Sequence, residues 1–347
     1  MATPAAPILA SSIWLAHKEA FAKESETTQP PRKRRKLATS VKTINDALDG
    51  GFDFGSISCI TSEPGHGSKD IVQELLMSHL TGDPNAAATV IDGTLSFDVR
   101  GLFQQIEVLL KDKQEALKVL DRLKISKVFD FVGLTEAVDE VRDTLEAKPV
   151  PPDGEDDASR PPKATIADSE DEEDEMLEGS DRECKAREAE SEQKPADLRP
   201  PARLLIIDNI THVTAPIIKS NYPQGQALLT ALMRSLGHLT RTHDLCTVVL
   251  STAMTKSNTD EETLSIFKSC TIRPVLGLGL GYLVDRHMYL HQQPRRTAGA
   301  LEEGAMGQRR PVEMASVLEI VQDKSAGRIG RWASFVKGEH GRLIDIA

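Results

Sequence analysis

Short aliphatic runs alternate along this chain with longer segments whose apolar residues recur every three or four positions. The aliphatic runs predict strands at Ser56–Thr61, Ala88–Ile91, Val128–Val132, Arg203–Asp208 and Thr247–Ser251. The helical spacing predicts helices over 71–80, Leu102–Leu110, Leu134–Leu145 and Ala227–Thr242. Two later apolar runs, Tyr282–Leu290 and Val317–Val321, predict strands that extend the sheet. This alternation predicts an α/β fold with a doubly wound, mainly parallel sheet and helices on both faces.

A basic tract lies near the end of the first 38 residues. Five consecutive cations follow two prolines there: Arg32, Lys33, Arg34, Arg35 and Lys36. The prolines disfavour a helix, so the tract is expected to be an extended cationic peptide. This pattern is typical of a nuclear-import signal, although a nucleic-acid-binding arm or a solvated charge run shares it. We therefore predict a disordered tail over 1–38 and a nuclear location.

Residues 147–202 differ in composition from the rest of the chain. Within 153–193, 17 acidic residues stand against 5 basic ones, a local charge of −12 where the whole chain carries −11. Like charges repel, and the segment has too little apolar surface to offset the entropy lost on folding. We predict a disordered acidic insert. The remaining segments, 39–146 and 203–347, are predicted to form a single core.

The composition also excludes several classes of protein. No apolar run approaches the ~20 residues needed to cross a bilayer, and the first residues lack the pattern of a secretory signal. The four cysteines are scattered, without a C-x-x-C pair or a histidine at metal spacing: Cys59, Cys184, Cys246 and Cys270. We expect a protein of a reducing compartment that has no membrane segment and no structural metal.

An eight-residue segment lies between the first predicted strand and the first predicted helix: Ser62, Glu63, Pro64, Gly65, His66, Gly67, Ser68 and Lys69. A glycine-rich loop at such a place aims backbone N–H groups and a helix N-terminus at a phosphate. The strand that ends in Asp208 adds a carboxylate able to hold Mg²⁺ through water. These residues predict a site for ATP with Mg²⁺. The consensus G-x-x-x-x-G-K-[ST] is not met, so we expect binding to be weakened or lost.

Further segments, in their order and spacing, resemble one known family. They are Leu48–Phe52, Val90–Asp92 followed by Phe97 and Leu102, Leu204–Asp208, Arg273–Gly277, and Lys324-Ser325 followed by Phe335. Together with the loop they are similar to the RecA-type P-loop NTPase core of the eukaryotic strand-exchange recombinases and their paralogues. The likeness covers most of both core segments. The residues before the core leave no room for the family's N-terminal DNA-binding domain, so the resemblance implies a core-only member.

The chain departs from the family pattern at the residues that perform the chemistry. If Gly67 is the last loop glycine, Ser68 takes the place of the phosphate-binding lysine and Lys69 that of the Mg²⁺-binding hydroxyl residue. A lysine shifted by one residue is turned by about 100° around the helix, away from the phosphates. Losing the lysine–phosphate bond costs about 1.5–3 kcal/mol. Ser62 also replaces the first glycine.

Two other parts of the family's machinery are replaced. Aligning Asp92 with the family's strand-end aspartate puts Thr94 where the family has its water-activating glutamate. Thr252 and Ala253 stand where the family carries an Asn-Gln pair that senses the γ-phosphate. A general base contributes about 10²–10⁴ in rate, so these changes together predict a core with little or no ATP turnover.

The resemblance implies a non-catalytic or weakly ATP-binding paralogue that assists homologous recombination and DNA repair. Its expected partners are other recombinase paralogues or the recombinase itself, in a hetero-oligomer. Contact with single-stranded DNA is expected through loops after Asp208–Val213 and over Thr255–Ile272, the second with weak basic character. Two alternatives stay open. One is an active DNA-dependent ATPase that uses Lys69, and the other is a RecA-like accessory subunit of the Elongator tRNA-modification complex.

Overall fold

A mostly parallel sheet organises the residues that the computed structural model describes, which are 35–147, 201–255, 264–295, 313–324, 327–338 and 341–346. The strands are β1 Lys36–Leu37, β2 Phe52–Asp53, β3 Ser56–Ser62, β4 Ala87–Asp92, β5 Leu123–Lys127, β6 Arg203–Asp208, β7 Cys246–Thr255, β8 Ile272–Pro274, β9 Arg286–Pro294, β10 Met314–Asp323, β11 Trp332–Lys337 and β12 Leu343–Asp345. The helices are α1 Lys42–Ala47, α2 Ser68–Gly82, α3 Val99–Leu110, α4 Lys113–Leu120, α5 Phe131–Glu146, α6 Ile210–Ser220, α7 Tyr222–Thr242 and α8 Leu280–Leu283.

The main sheet has the strand order β12-β11-β10-β9-β3-β7-β6-β4-β5, and β8 pairs with β7 outside this path. Strands β9 to β5 in this order run parallel, and β10, β11 and β12 continue the sheet in antiparallel fashion. Both predicted core segments supply strands to the same sheet, because β4 of the first pairs with β6 of the second. The predicted α/β class with a mainly parallel sheet is confirmed.

Alternate side chains of the central strands enter two separate cores, one on each face of the sheet. Leu204 and Ile206 of β6 pack in the core that also holds Leu75 of α2. Leu205 and Ile207 pack in the other core, which α5, α6 and α7 cover. A strand buried on both faces needs consecutive aliphatic residues, which is why the sequence alone predicted β6.

Three sequence predictions of secondary structure are wrong in detail. The strand predicted at Val128–Val132 is displaced to β5, and Phe129 and Val132 are 76% and 62% exposed beside it. β5 pairs on one side only and is half-buried, so its sequence carries a weak apolar signal. The strand predicted from Tyr282 begins at Arg286, after the short helix α8. The flexible loop expected after Asp208–Val213 is instead the later part of the helix α6.

The predicted tail boundary at residue 38 lies too late in the chain. β1 pairs Lys36 with Asp53 and Leu37 with Phe52. The Lys36 ammonium donates to the backbone oxygen of Asp49 at 2.6 Å, and the Arg35 guanidinium lies 4.1 Å from the centre of the Phe54 ring. Arg35 and Lys36 are therefore part of the fold, whereas Arg32, Lys33 and Arg34 lie outside the described residues.

Candidate phosphate-binding site

Four parallel strands end at one edge of the sheet and bring the predicted loop next to three polar strand ends. Ser62 of β3 pairs in register with Thr252 of β7, and Asp92 of β4 pairs with Asp208 of β6. A cavity of about 1010 Å³ opens there, lined by the loop, by these strand ends and by α6. Ligands of open α/β sheets bind at the carboxyl ends of the strands, so this edge is the candidate site.

The loop adopts the backbone conformation that its glycines permit. Gly65 and Gly67 have φ of 83° and 90°, in the left-handed region that side chains disfavour. Gly67 is the N-cap of α2, and no side chain caps the helix there. The first residues of the helix also line the cavity. Glu63 closes the loop by accepting from the Thr255 hydroxyl at 2.8 Å, and His66 Nδ1 lies 3.2 Å from its other oxygen. The predicted strand–loop–helix arrangement thus exists.

Lys69 occupies the centre of the site. Its ammonium nitrogen lies 3.9 Å from Asp208 Oδ2 and 3.5 Å from the hydroxyl oxygen of Thr94, and it donates to the Ser96 hydroxyl. The shift of one residue along the helix was expected to turn this lysine away from the ligand. Its long side chain instead reaches the strand ends and lines the cavity. The side chain that the sequence placed in the metal ligand's position therefore puts a cation beside Asp208.

The two neighbouring carboxyls have opposite electrostatic tendencies. Burial raises the pKa of Asp208, the nearby Asp92 adds to the rise, and Lys69 and Thr94 offset it only in part. Burial acts on Asp92 in the same direction, but hydrogen bonds from the Phe97 N–H and from Thr94 outweigh it and lower its pKa. Asp92 therefore holds its negative charge more firmly than Asp208 does.

Thr94 and Thr252, which the resemblance places at base and sensor positions, bind to their own neighbours. The Thr94 N–H and hydroxyl both donate to Asp92 Oδ1, at 3.0 and 2.9 Å. The Thr252 hydroxyl accepts from Asn209 Nδ2 at 2.9 Å, and the Thr252 N–H donates to Thr211 at 2.9 Å. A threonine hydroxyl is a poor base because it has no titration near neutral pH. These contacts order the strand ends, and neither threonine can act as a base toward water.

The structure adds two basic side chains that sequence reasoning missed. His212 and Lys219 lie on α6 and line the same cavity as the loop. They were missed because no helix was predicted here and a flexible loop was expected to follow Asp208–Val213. The apolar spacing of Ile210, Val213 and Ile217 was the available helical signal.

The donor set around Asp208 does not suit Mg²⁺. This ion takes oxygen ligands at 2.0–2.1 Å in an octahedron, whereas the nearest cation-binding position is filled by the Lys69 ammonium. A divalent ion about 4 Å from an ammonium is repelled by about 8 kcal/mol at an effective dielectric constant of 20. Within the described ranges, no group of three or more His, Cys, Asp or Glu side chains could hold a metal.

The predicted DNA-contact residues are only partly visible in this fold. Of the stretch Thr255–Ile272, residues 256–263 lie outside the described part. Phe267, the one aromatic residue of this stretch in the printed sequence, packs edge-on against His291 and Trp332, with ring centres 5.1 and 5.5 Å apart. Its ring is thus already engaged within the protein.

Comparison with known proteins identifies no family. A scan of the sequence against protein-family models finds no match, and neither does a search of curated proteins. Among the helices that the structure describes, none combines the length and apolar character needed to cross a membrane.

Proposed function

We propose that this chain is a RecA-type P-loop core that has lost ATP hydrolysis and acts by contact, as a recombinase paralogue in homologous recombination and DNA repair. The observation that carries the proposal is the contact between Lys69 and Asp208 at the end of a phosphate-type loop. The strand–loop–helix arrangement and the polar strand ends support the proposal, because nucleotide sites of the RecA type have the same layout. A lysine and a threonine take the places that a working site gives to its metal ligand and its base.

Loss of ATP hydrolysis is favoured energetically over slow hydrolysis. Phosphoryl transfer depends on positioned charge and an oriented nucleophile, with little covalent chemistry from the protein. Thr94, whose hydroxyl already donates to Asp92, cannot deprotonate an attacking water. The metal position is unsuitable as well. The base and the metal act together, and a base alone typically contributes a factor of about 10²–10⁴ to the rate. With both of them defective, little rate enhancement would remain.

The partner and location follow from the same proposal. A core that does not hydrolyse ATP can still act as a structural subunit of a complex. We therefore propose a hetero-oligomer with other recombinase paralogues or the recombinase. Single-stranded DNA would be held mainly by the assembly, because Phe267 is packed internally. Nuclear import would depend on Arg32, Lys33 and Arg34, since Arg35 and Lys36 pack against Phe54 and Asp49 in the fold.

ATP hydrolysis by the purified full-length chain is expected to stay at the background level, with or without single-stranded DNA. The measurement is phosphate release in Mg²⁺, repeated on Lys69→Ala and Asp208→Ala. Any residual release should be equal in all three proteins, because it would come from contamination. Mg²⁺-dependent release that both substitutions abolish would instead establish the alternative, an active ATPase that uses Lys69.

Affinity purification from cells given DNA damage is expected to recover recombination proteins with this chain. The proposal predicts direct contact, so the association should persist after nuclease treatment. The contact should also survive Lys69→Ala, because a scaffold needs no turnover. Recovery of a tRNA-modifying catalytic subunit, without recombination proteins, would refute the proposal and support the Elongator alternative.

A further inference from the structure

The Lys69 ammonium lines the cavity beside the loop and lies 3.9 Å from Asp208 Oδ2. We propose that this lysine replaces the metal, so that the site binds the metal-free anion of a nucleoside polyphosphate and Mg²⁺ opposes the binding. The inference rests on the proposed function, because it takes the loop as a phosphate site. Beyond that function, it specifies that the ligand binds without its metal and that Mg²⁺ weakens the binding.

The position of the ammonium supports the replacement. A Mg²⁺ held through one water would lie about 4 Å from a carboxylate oxygen, given a metal–water distance of about 2.1 Å and a hydrogen bond of about 2.7 Å. The Lys69 nitrogen lies 3.9 Å from Asp208 Oδ2. It also donates to the hydroxyl oxygens of Thr94 and Ser96. The ammonium thus binds the oxygens that would otherwise contact a metal ion or its bound waters.

The charges around the cavity suit an anion that brings no metal of its own. Lys69 and Lys219 line it, with His212 as a further basic side chain. Of the two acids in the lining, Asp70 is paired with Lys337 at 2.6 Å and Asp208 faces Lys69. Both negative charges are therefore matched within the protein, so neither acid of the lining is an unpaired charge that would repel a phosphate group.

The ligand class follows from how nucleotides carry Mg²⁺. A nucleoside triphosphate in excess Mg²⁺ arrives with the ion on its terminal phosphates, where it would be repelled by Lys69. A diphosphate holds Mg²⁺ less strongly because it has fewer charges, so it loses the ion more readily. The site should therefore prefer the diphosphate over the triphosphate whenever Mg²⁺ is abundant.

The test measures binding of a fluorescent ADP analogue, and of ADP by competition, to the full chain in EDTA and in excess Mg²⁺. Wild-type protein is expected to bind more tightly in EDTA than in excess Mg²⁺. Lys69→Ser removes the cation and supplies a hydroxyl metal ligand. It should weaken binding in EDTA by about 10- to 150-fold, the effect of one charge-assisted bond, and regain affinity when Mg²⁺ is added.

The matched control is Lys118→Ser, an exposed lysine on α4 that is paired with Glu115 away from the cavity. It should bind like the wild type in both buffers, and circular dichroism should confirm that both variants are folded. Wild-type binding that is equal in the two buffers or requires Mg²⁺, or no binding of the analogue in EDTA, would overturn this inference. Either result leaves the contact function intact, because a scaffold needs no nucleotide, whereas the hydrolysis and purification experiments test that function separately.

Discussion

Replacing Asp53 by asparagine is expected to lower the free energy of unfolding by about 3–5 kcal/mol, the cost of breaking a buried ion pair from one side. Asp53 is buried and binds the equally buried guanidinium of Arg286. The same carboxylate accepts from Arg328 at 3.1 Å and lies 3.7 Å from the Lys36 ammonium. Asparagine preserves the shape but leaves Arg286 as a buried cation without a counter-charge. Urea unfolding of the two proteins measures the difference.

The matched control is Asp49→Asn, at the exposed end of the same network. Asp49 binds Arg331 and lies 3.8 Å from Arg328, about half exposed. Asparagine tolerates its left-handed backbone, with φ of 55°, so we expect a loss of about 1 kcal/mol or less. Equal losses in the two variants would show that burial of Asp53 adds nothing to the network.

The network also predicts the direction of a pH effect. Burial acts to raise the pKa of Asp53, but Arg286, Arg328 and Lys36 outweigh it and hold the pKa below its ordinary value of 3.8. The unfolded chain then binds the proton more tightly, so this contribution is complete above about pH 3.8 and declines as the pH falls further. Asp53→Asn should lack this part of the acid slope in the same unfolding measurements.

Replacing Gly51 by alanine is the second large effect that we expect. A Cβ at Gly51 would lie 2.2 Å from the backbone oxygen of Leu37 and 2.9 Å from the Cα of Ala38, and φ is +124°. Backbone strain and overpacking each cost about 1–3 kcal/mol, so the sum is about 2–6 kcal/mol. The variant should also separate β1 from β2. Thermal unfolding measures the stability, and proteolysis near residue 37 detects the loosened strand.

Gly65→Ala provides the control for Gly51→Ala. Gly65 has φ of +83°, but a Cβ there would meet no atom within 4 Å. Only the left-handed conformation is penalised, which costs about 1–2 kcal/mol. A loss at Gly65 as large as that at Gly51 would mean that the conformation, and not the clash with β1, dominates both positions.

Local pattern predicted the elements whose residues are buried on both faces or recur on one helix face. The strand ending in Asp208 and the helix over 71–80 were visible because each carries its whole apolar signal in consecutive residues. The edge strand β5 was misplaced because a half-buried strand has few apolar residues to mark it. Helix α6 was missed because a loop was expected there, although its apolar residues recur at helical spacing. The loop from Ser62 to Lys69 was found because glycines between a strand and a helix mark a turn.

By itself, the sequence determined the α/β class, the order of the elements and the residue types that stand at each strand end. Only the tertiary structure decided where those residues meet. Asp92 and Asp208 are 116 positions apart in the printed sequence and become neighbours through the register of β4 with β6. The reach of Lys69 to Asp208 depends on the angle between α2 and that sheet edge. Such distances arise from packing between distant segments, which no local periodicity encodes.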